Sequence, residues 1–333
     1  MKACVLVGGS FGTAMSVELS ATCDDVVVWA REEDIVRAIN ERHENPVFLP
    51  GLSLPLNVSA SFDMARALAG ASLVVLAAPS QATRPVLLQA AAHLPAGAPI
   101  VTVAKGIETD TLLTMTEVME ACLPTSRHGD VAVLSGPSFA KEMVQKLPTV
   151  VTIASKNEET AKRCQAMLSS EHFRTYTSTD VVGVQIGGSV KNVIAIAAGM
   201  SDGLGLGHNA RAGIITRGLA EMTRLAVKLG GQPITLAGLA GLGDLVLTCT
   251  AELSRNRHVG IELGKGKALA DILQGMNQVA EGVKTAKSVR DLALKHSVDL
   301  PICNAVYAIA YDGKSAKQAA FELMGRTPKA EAV

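Results

Sequence analysis

The chain has 333 residues, 48% of them hydrophobic, and its 31 basic residues are balanced by 31 acidic ones. At about 150 residues per domain, this length predicts two domains, and the balanced charge argues against electrostatic attraction to nucleic acid or to an anionic membrane. The aromatic content of 3% is too low for a base-stacking platform. Apolar runs such as 73–79 and 193–200 are far shorter than the ~20 residues that span a bilayer, so we expect no membrane insertion.

The N-terminus and the cysteines predict a cytoplasmic protein. Met1 and Lys2 lead directly into an apolar strand pattern, without the regions of a signal peptide. The six cysteines are widely spaced, which excludes a Cys-x-x-Cys site and is unlike a disulfide framework. We therefore expect reduced, mostly buried cysteines. They are Cys4, Cys23, Cys122, Cys164, Cys249 and Cys303.

The first half of the chain alternates between short apolar runs and helical patterns. Strands are predicted at 3–7, 25–30, 73–77, 100–103, 131–134, 150–154 and 173–177. Helices are predicted at 12–20, 32–42, 81–93, 110–122 and 158–169. Such alternation indicates an α/β doubly wound sheet that is parallel in its core. The proline-containing stretch 45–58 is expected to be a loop with at most a short edge strand.

After Thr179 the strand signal stops, and the rest of the chain is predicted to be helical. The predicted helices span 181–200, 211–229, 234–237, 257–264, 268–273, 284–296, 302–311 and 316–323. We therefore expect a boundary without a linker, between a domain of residues 1–179 and an all-α domain of residues 180–333.

A glycine-rich turn follows the first predicted strand. Dinucleotide-binding folds use the spacing Gly-x-Gly-x-x-Gly at this place, so that backbone N–H groups and a helix N-terminus face the pyrophosphate. Gly9 and Gly12 fill the second and third positions, but Val7 replaces the first glycine. We expect the missing conformational freedom to have moved to Gly8. The alternative is a turn that serves packing only.

The end of the second strand indicates which dinucleotide is preferred. An acidic residue at this tip would bond the ribose 2′-hydroxyl of NAD, whereas an arginine accommodates the 2′-phosphate of NADP. The sequence here is Ala30-Arg31, which favours NADPH. Glu32 and Glu33 follow at once and are expected to point to solvent in the first turn of a helix.

Lys191 is the candidate catalytic residue because it is a single cation inside an apolar helical stretch, 187–199. Burial of an ammonium is costly and lowers the pKa of a lysine. A lysine that exchanges its proton near neutral pH can act as a general acid or base. The alternative is a lysine whose side chain extends along the helix until its ammonium reaches water.

Three further segments place polar side chains where a substrate could bind. Lys105 follows a predicted strand, at the end where open α/β sheets bind ligands. Ser138 either caps a helix or helps to face an anion. A glycine-dense turn ends at Asp244, and Arg255 with Asn256 can bind a phosphate by charge and amide donation.

These segments resemble the bacterial NAD(P)-dependent glycerol-3-phosphate dehydrogenase family over most of the chain. The resemblance is carried by Gly-Ser-Phe-Gly-Thr-Ala at 9–14, Leu-Pro at 49–50, Ala-Lys-Gly at 104–106, Ser-Gly-Pro-Ser-Phe-Ala-Lys-Glu at 135–142, 183–188, Val-Lys-Asn at 190–192 with 193–197, Asn-Ala-Arg at 209–211, 215–222, Gly-Leu-Gly-Asp-Leu at 241–245, Thr-Cys-Thr at 248–250, Ser-Arg-Asn-Arg at 254–257 and Val-Ala-Glu-Gly at 279–282. The surroundings of Arg31 and Lys105 and the Val7 loop match less fully.

The resemblance implies an enzyme that interconverts dihydroxyacetone phosphate and sn-glycerol 3-phosphate for glycerophospholipid synthesis. It implies a Rossmann-type sheet followed by a helical domain like the C-terminal domain of 6-phosphogluconate dehydrogenase. Lys191 becomes the proton donor or acceptor. The substrate-binding residues are Lys105, Gly136, Ser138, Lys191, Asp244, Ser254, Arg255 and Asn256. The NADPH- or NADH-binding residues are Ser10, Phe11, Arg31, Lys105, Ala140, Arg255, Val279 and Glu281.

Residue chemistry gives these positions compatible roles. Lys105, a second cation, would further lower the pKa of Lys191 and polarise the substrate carbonyl, while Asp244 would accept from a substrate hydroxyl. No metal is expected, because the sequence has no ligand spacing for one. The partner is a small-molecule substrate, and we expect a homodimer. Three alternatives remain: a related β-hydroxyacid dehydrogenase, a non-catalytic NADPH-binding Rossmann protein and, least favoured, a purely structural protein.

Overall fold

The computed structural model describes residues 1–276, 280–328 and 330–331, and the chain folds as two compact units. Unit 1 consists of Met1–Lys105 and Leu113–Val184, and unit 2 of Gly106–Leu112 and Gln185–Val333. The boundary between the units, after Val184, therefore lies five residues beyond the predicted boundary after Thr179, and it lies inside a continuous helix. The segment Gly106–Leu112, which sequence analysis placed in the first domain, belongs to unit 2.

Unit 1 contains an eight-stranded sheet. The strands are β1 (Lys2–Leu6), β2 (Asp25–Trp29), β3 (Val58–Ser61), β4 (Leu73–Leu76), β5 (Ile100–Thr102), β6 (Val131–Ser135), β7 (Thr149–Ala154) and β8 (Phe173–Ser178). Their order is β3-β2-β1-β4-β5-β6-β7-β8. Neighbouring strands are parallel except for the antiparallel pair β6–β7. This confirms the doubly wound sheet with a parallel core.

The sheet is parallel because its central strands are apolar on both faces. All four residues of β4 are buried, and continuous Val/Leu/Ile runs of this kind are typical of strands covered by helices on both sides. The edge strand β3 begins at Val58, the last residue of the stretch predicted as a loop. β1, β2, β5 and β6 run in the same direction, so the segments after their carboxyl ends lie along one edge of the sheet.

The helices of unit 1 match the predictions except where they are short. They are α1 (Ser10–Ser20), α2 (Glu33–Arg42), α3 (Met64–Leu68), α4 (Thr83–Ala90), α5 (Met115–Cys122), α6 (Ala140–Val144) and α7 (Glu158–Leu168). The helices α3 and α6 are not predicted, because five residues show too little periodicity. The helix α5 begins five residues later than predicted, at a capping box formed by Thr114 and Glu117.

From residue 181 onward the described residues form helices and connecting turns. The helices are α8 (Val181–Gly203), which begins in unit 1, then α9 (Gly207–Lys228), α10 (Pro233–Leu236), α11 (Asp244–Thr250), α12 (Arg255–Gly264), α13 (Leu269–Gln274), α14 (Glu281–Lys295), α15 (Pro301–Tyr311) and α16 (Ala316–Met324). A π-helical turn, Leu239–Gly243, leads into α11. The sequence had predicted only a glycine-dense turn before Asp244.

Two segments of this region are long and apolar enough to cross a membrane by length and composition alone. They are α8 and the stretch Pro233–Thr250. Sequence analysis counted only uninterrupted apolar runs and so expected none of spanning length. When hydropathy is averaged over a window instead, the single charge of Lys191 leaves α8 apolar enough to meet the criterion. In α8, 89% of the most apolar window is buried inside the protein, which is typical of a core helix.

Candidate active site

The turn after β1 has the form of a dinucleotide-binding loop. Gly9 is the N-cap of α1 and has no side chain, so the first N–H groups of this helix are left for an anionic ligand. A Cβ added at Gly9 would meet no atom within 4 Å, which leaves room for a ligand close to the backbone. A Cβ at Gly12 would come within 2.0 Å of the Val7 carbonyl oxygen. The loop therefore fits a dinucleotide pyrophosphate.

The conformational freedom that the missing glycine would have supplied is not at Gly8. Val7 itself has a φ of 82°, a left-handed conformation that is strained for a β-branched residue. Gly8 does not have a positive φ, and a Cβ there would make a tight contact of 3.2 Å with Cγ1 of Val28. The prediction that the freedom had moved to Gly8 is therefore wrong.

Asn45 holds this loop in place and was not among the predicted site residues. Its side chain is fully buried, and its Nδ2 donates to the carbonyl of Gly8 and to the hydroxyl of Thr13, both at 2.8 Å. Its Oδ1 accepts from the N–H of Phe48 at 3.2 Å. The hydroxyl of Ser10, a predicted cofactor residue, donates to the Phe48 carbonyl at 3.0 Å.

Arg31 is the second residue after β2 and is exposed, as are Glu32 and Glu33. Glu32 is the N-cap of α2, and Glu33 lies in its first turn. The exposure expected for both acids is thus observed. Arg31 is free of the sheet core and lies at the carboxyl edge, where a 2′-phosphate would be read.

Four predicted residues of unit 1 lie together around one backbone carbonyl. The Gly136 oxygen accepts from Lys105 Nζ and from Ser138 Oγ, both at 2.9 Å. The same Nζ lies 6.0 Å from the centre of the Phe11 ring, within the range of a cation–π contact. Gly136 has a φ of 142°, a conformation that disfavours other residues.

The structure corrects the capping role considered for Ser138. The N-cap of α6 is Phe139, and the Ser138 hydroxyl is used on Gly136 instead. Ala140 is the first residue of α6, so its backbone N–H belongs to the first turn of the helix.

In unit 2, Lys191 is at the centre of a buried polar cluster. Lys191 is 6% exposed, and Asp244 is 1% exposed. Lys191 Nζ lies 2.5 Å from Asp244 Oδ1 and 2.7 Å from Thr248 Oγ1. The Thr248 hydroxyl in turn donates to the Asp244 carbonyl at 2.6 Å. The alternative in which Lys191 reaches water is therefore wrong, and a carboxylate, rather than burial alone, dominates its surroundings.

Close backbone packing allows this cluster to form. Gly187 lies one helical turn before Lys191, and a Cβ there would come within 2.5 Å of the Ala240 carbonyl oxygen. The π-helical turn 239–243 can therefore approach α8 closely and place Asp244 at the first position of α11. Thr248 lies one turn further along α11, on the same face as Asp244. An Asp-x-x-x-Thr spacing would have identified Thr248 if α11 had been predicted.

The predicted phosphate-binding residues lie at the start of α12. Ser254 is the N-cap, and its hydroxyl accepts from the N–H of Arg257 at 3.2 Å. Burial lowers the pKa of Arg255, and the negative charge of Glu281 opposes this shift. By solvent accessibility Arg255 is nevertheless exposed, so its guanidinium is open to a charged ligand.

Asn256 has internal partners in addition to its predicted role on phosphate. Its Nδ2 donates to Asn192 Oδ1 at 3.0 Å, and its Oδ1 accepts from the Gly282 N–H at 3.0 Å. Asn192, the residue after Lys191, was not among the predicted site residues, and this hydrogen bond connects it to α12. Glu281 is the first residue of α14, and Val279, a predicted cofactor residue, lies outside the described residues.

Family models and known relatives match the chain over nearly its full length. Models described as the NAD-dependent glycerol-3-phosphate dehydrogenase N-terminus and C-terminus match residues 2–161 and 180–321. A Myxococcus xanthus protein named glycerol-3-phosphate dehydrogenase [NAD(P)+] is 62% identical over 99% of each chain. A protein of that name from Anaeromyxobacter sp. (strain K) is 53% identical over 99% of this chain and 100% of its own length.

The fold comparison agrees with the sequence comparison. The crystal structure of glycerol-3-phosphate dehydrogenase from Coxiella burnetii matches 98% of this chain and 99% of its own, with 38% identity and a TM-score of 0.91. Together with the dinucleotide loop and the buried lysine cluster, these matches confirm the resemblance found in the sequence. The chain belongs to the NAD-dependent glycerol-3-phosphate dehydrogenase family, a family of oxidoreductases.

Proposed function

We propose that this chain reduces dihydroxyacetone phosphate to sn-glycerol 3-phosphate, reversibly, with NADPH favoured over NADH, and that the product enters glycerophospholipid synthesis. The observation that carries the proposal is the buried cluster of Lys191, Asp244 and Thr248. In this cluster Asp244 and Thr248 hold the Lys191 ammonium, a proton donor. The proposed phosphate-binding pair of Arg255 and Asn256 belongs to the same unit.

Lys191 is the proposed catalytic acid in the direction of reduction. When bound, the nicotinamide supplies the hydride that the substrate carbon accepts. Lys191 donates a proton to the carbonyl oxygen, which leaves a hydroxyl, and in the reverse direction it accepts that proton. Asp244 and Thr248 hold the ammonium in one direction, which restricts the lysine side chain to a productive rotamer. The further role of Asp244 as an acceptor from a substrate hydroxyl remains part of the proposal.

The remaining residues bind the phosphate and the cofactor. Arg255 and Asn256 bind the substrate phosphate, with Ser254 fixing the turn that carries them. Residues 1–179 are proposed to bind the dinucleotide and residues 180–333 to bind the substrate and catalyse its reaction. The proposed cofactor residues are Ser10, Phe11, Arg31, Lys105, Ala140, Arg255, Val279 and Glu281. The further residues proposed to contact the substrate are Lys105, Gly136 and Ser138.

We also propose a cytoplasmic homodimer that does not insert into membranes. Support comes from the burial of α8 and from apolar side chains that remain exposed in unit 2, among them Ile234, Val246 and Leu253. A subunit interface would cover such groups. Light scattering coupled to size exclusion should give twice the chain mass, and a monomer would refute the dimer.

The proposed reaction is tested by following NADPH absorbance at 340 nm with dihydroxyacetone phosphate. We expect turnover with dihydroxyacetone phosphate, at least tenfold lower kcat/KM with phosphate-free keto acids, and slower turnover with NADH. Turnover restricted to keto acids would identify a β-hydroxyacid dehydrogenase. NADPH binding without turnover of any of these substrates would indicate a non-catalytic binding protein. Either result would overturn the proposal.

A further inference from the structure

An ion pair anchors the start of α12 to α8, and it involves no residue of the proposed site. Asp202 lies on α8, eleven residues after Lys191. Its Oδ2 lies 2.9 Å from Nε and 2.7 Å from Nη2 of Arg257. Both side chains are about 15% exposed, so the pair is partly shielded from water and salt.

The same carboxylate also binds a third helix. Nη1 of Arg211, on α9, lies 3.1 Å from Asp202 Oδ1, and Nη2 of Arg211 lies 2.8 Å from His208 Nδ1. Asp202 therefore holds two guanidinium groups with its two oxygens. Among these contacts, only those of Arg257 reach the helix that carries Arg255 and Asn256.

The packing of α12 on α8 explains why a directional contact is needed here. A Cβ at Gly199 would lie 2.1 Å from the Arg257 carbonyl oxygen, and one at Gly260 would lie 2.1 Å from the Ile196 carbonyl oxygen. The two backbones are thus in direct contact at glycines. Few interlocking side chains, which usually fix one helix against another, can lie at these glycines, so a directional polar contact beside them adds to what sets the position of α12 along α8.

Arg257 is well placed to transmit this position to the phosphate-binding residues. It follows Asn256 directly and lies two residues after Arg255. Its backbone N–H is bound by the Ser254 hydroxyl at 3.2 Å, while its side chain is bound by Asp202. The first turn of α12 is consequently held by a contact to its backbone, from Ser254, and by a contact to a side chain, from Asp202.

We propose that Arg257 and Asp202 are positioning residues for recognition of the substrate phosphate. Their ion pair fixes the first turn of α12 and so the directions from which Arg255 and Asn256 approach the phosphate. Bidentate recognition of phosphate tolerates little displacement of the donors. The inference rests on the proposed function, because it requires that the substrate carries a phosphate at this turn.

The test compares two substrates that share a carbonyl and differ in the phosphate. In Arg257→Lys, the fork of donors on Asp202 is replaced by a point charge. We expect the KM for dihydroxyacetone phosphate to rise about tenfold, which corresponds to about 1.4 kcal/mol, and kcat to stay within about threefold. The kcat/KM for dihydroxyacetone, taken from the linear dependence of rate on concentration, should change less than about twofold. The ratio of the two kcat/KM values should therefore fall.

Asp202→Asn is the second variant, and it keeps the size of the side chain while removing its charge. It should lower the same ratio. The control is Lys265→Ala, which breaks a pair with Glu262 (2.8 Å) near the other end of α12 and should leave the ratio unchanged. Should Arg257→Lys fail to fold, Asp202→Asn decides the question.

An unchanged ratio in the folded variants, or an equal loss with both substrates, would overturn the inference and give the pair a purely structural role. Failure of the proposed function gives a different result, because the wild-type protein would then show no turnover of dihydroxyacetone phosphate at all.

Discussion

The two lysines assigned to the reaction lie in different electrostatic surroundings. In unit 2, Lys191 is almost completely buried and contacts the Asp244 carboxylate and the Thr248 hydroxyl. In unit 1, Lys105 is half-buried and donates to the carbonyl of Gly136. A fully buried charge requires an opposite charge, whereas a half-buried one can be stabilised by backbone dipoles and water. This difference is the basis of the proposal that Lys191 transfers a proton and that Lys105 attracts an anionic ligand.

Two buried carboxylates, Asp244 in unit 2 and Glu18 in unit 1, show a similar contrast. Asp244 is bound by Lys191, but Glu18, on the helix that follows the dinucleotide loop, is completely buried in unit 1. Burial raises the pKa of Glu18 to about 7, although Lys146 opposes the shift. The nearest basic group is His172, whose Nε2 lies 3.1 Å from Oε2 of Glu18, and burial lowers the pKa of this histidine. Asp244 is thus paired with a cation, while burial shifts Glu18 towards its neutral form.

Removal of Lys191 should have the largest effect. Lys191→Ala should lower kcat by about 10²–10⁴-fold, the usual contribution of a positioned acid–base group, with the affinity for NADPH nearly unchanged. The measurements are steady-state kinetics and an NADPH fluorescence titration on protein shown to be folded by circular dichroism. Lys228→Ala, at the exposed C-terminal end of α9, is the control. Retention of more than a tenth of wild-type kcat would return Lys191 to a structural role.

Glu18 should make stability depend on pH in a direction opposite to that of a paired carboxylate. Its pKa is raised above the unfolded value of 4.5, so its contribution to stability is fully present below pH 4.5 and is lost as the pH rises through about 7. Glu18→Gln removes this loss. The variant should therefore gain stability relative to wild type at pH 8, by at most about 3 kcal/mol, and show little gain at pH 5.

Urea unfolding at several pH values measures this effect. Glu159→Gln, an exposed acid on α7, is the matched control and should follow wild type at every pH. His172 affects the pH dependence of stability in the opposite direction to Glu18. Because its pKa is lowered, its contribution to stability is lost as the pH falls, not as the pH rises. A difference between Glu18→Gln and wild type that does not change with pH would show that Glu18 is not titrating in this range.

Removal of Lys105 should have a smaller effect than removal of Lys191. Lys105→Ala should reduce kcat/KM for dihydroxyacetone phosphate by about 10–100-fold, the value of one charge-assisted contact. Its free energy of unfolding should change by less than about 1 kcal/mol, since Lys105 is only half-buried and donates to a neutral backbone carbonyl. Kinetics and urea unfolding are measured on the same preparation. A destabilisation of several kcal/mol would show that the two lysines are held in similar surroundings after all.

The smallest expected effect concerns the exposed Arg31. Arg31→Ala should lower kcat/KM for NADPH about tenfold, through loss of one charge-assisted contact with the 2′-phosphate. The kcat/KM for NADH should stay within about threefold, since NADH lacks this phosphate. Equal losses with both cofactors would mean that Arg31 supports the loop or the adenine instead.

The sequence predicted those features that depend on residue type alone. Lys191 could be identified because one cation in an apolar helix is conspicuous, and the parallel sheet followed from continuous apolar runs. Thr248 and Asn45 could not be identified in this way, because threonine and asparagine are common in turns and helices. Their roles depend on the segments that the fold brings beside them.

The Val7 loop and Glu18 illustrate a second limit. The sequence assigned the unusual backbone conformation to Gly8, the residue that adopts it most easily, but the positions of β1 and α1 impose it on Val7. Glu18 has the pattern of an ordinary helix residue, and its burial arises only when other segments cover that part of α1. Both features are set by tertiary structure, which overrides local preference.

The most direct test of the central claim is the rate of dihydroxyacetone phosphate reduction by Lys191→Ala at increasing ethylammonium concentration. If Lys191 donates the proton, a small ammonium ion that occupies the vacated space beside Asp244 and Thr248 should restore part of the lost kcat. The recovery should rise with the ethylammonium concentration and then saturate. Tetramethylammonium, which carries the charge but has no proton to donate, should restore nothing. Equal recovery with both ions, or no recovery with ethylammonium in a folded variant, would contradict proton donation by Lys191.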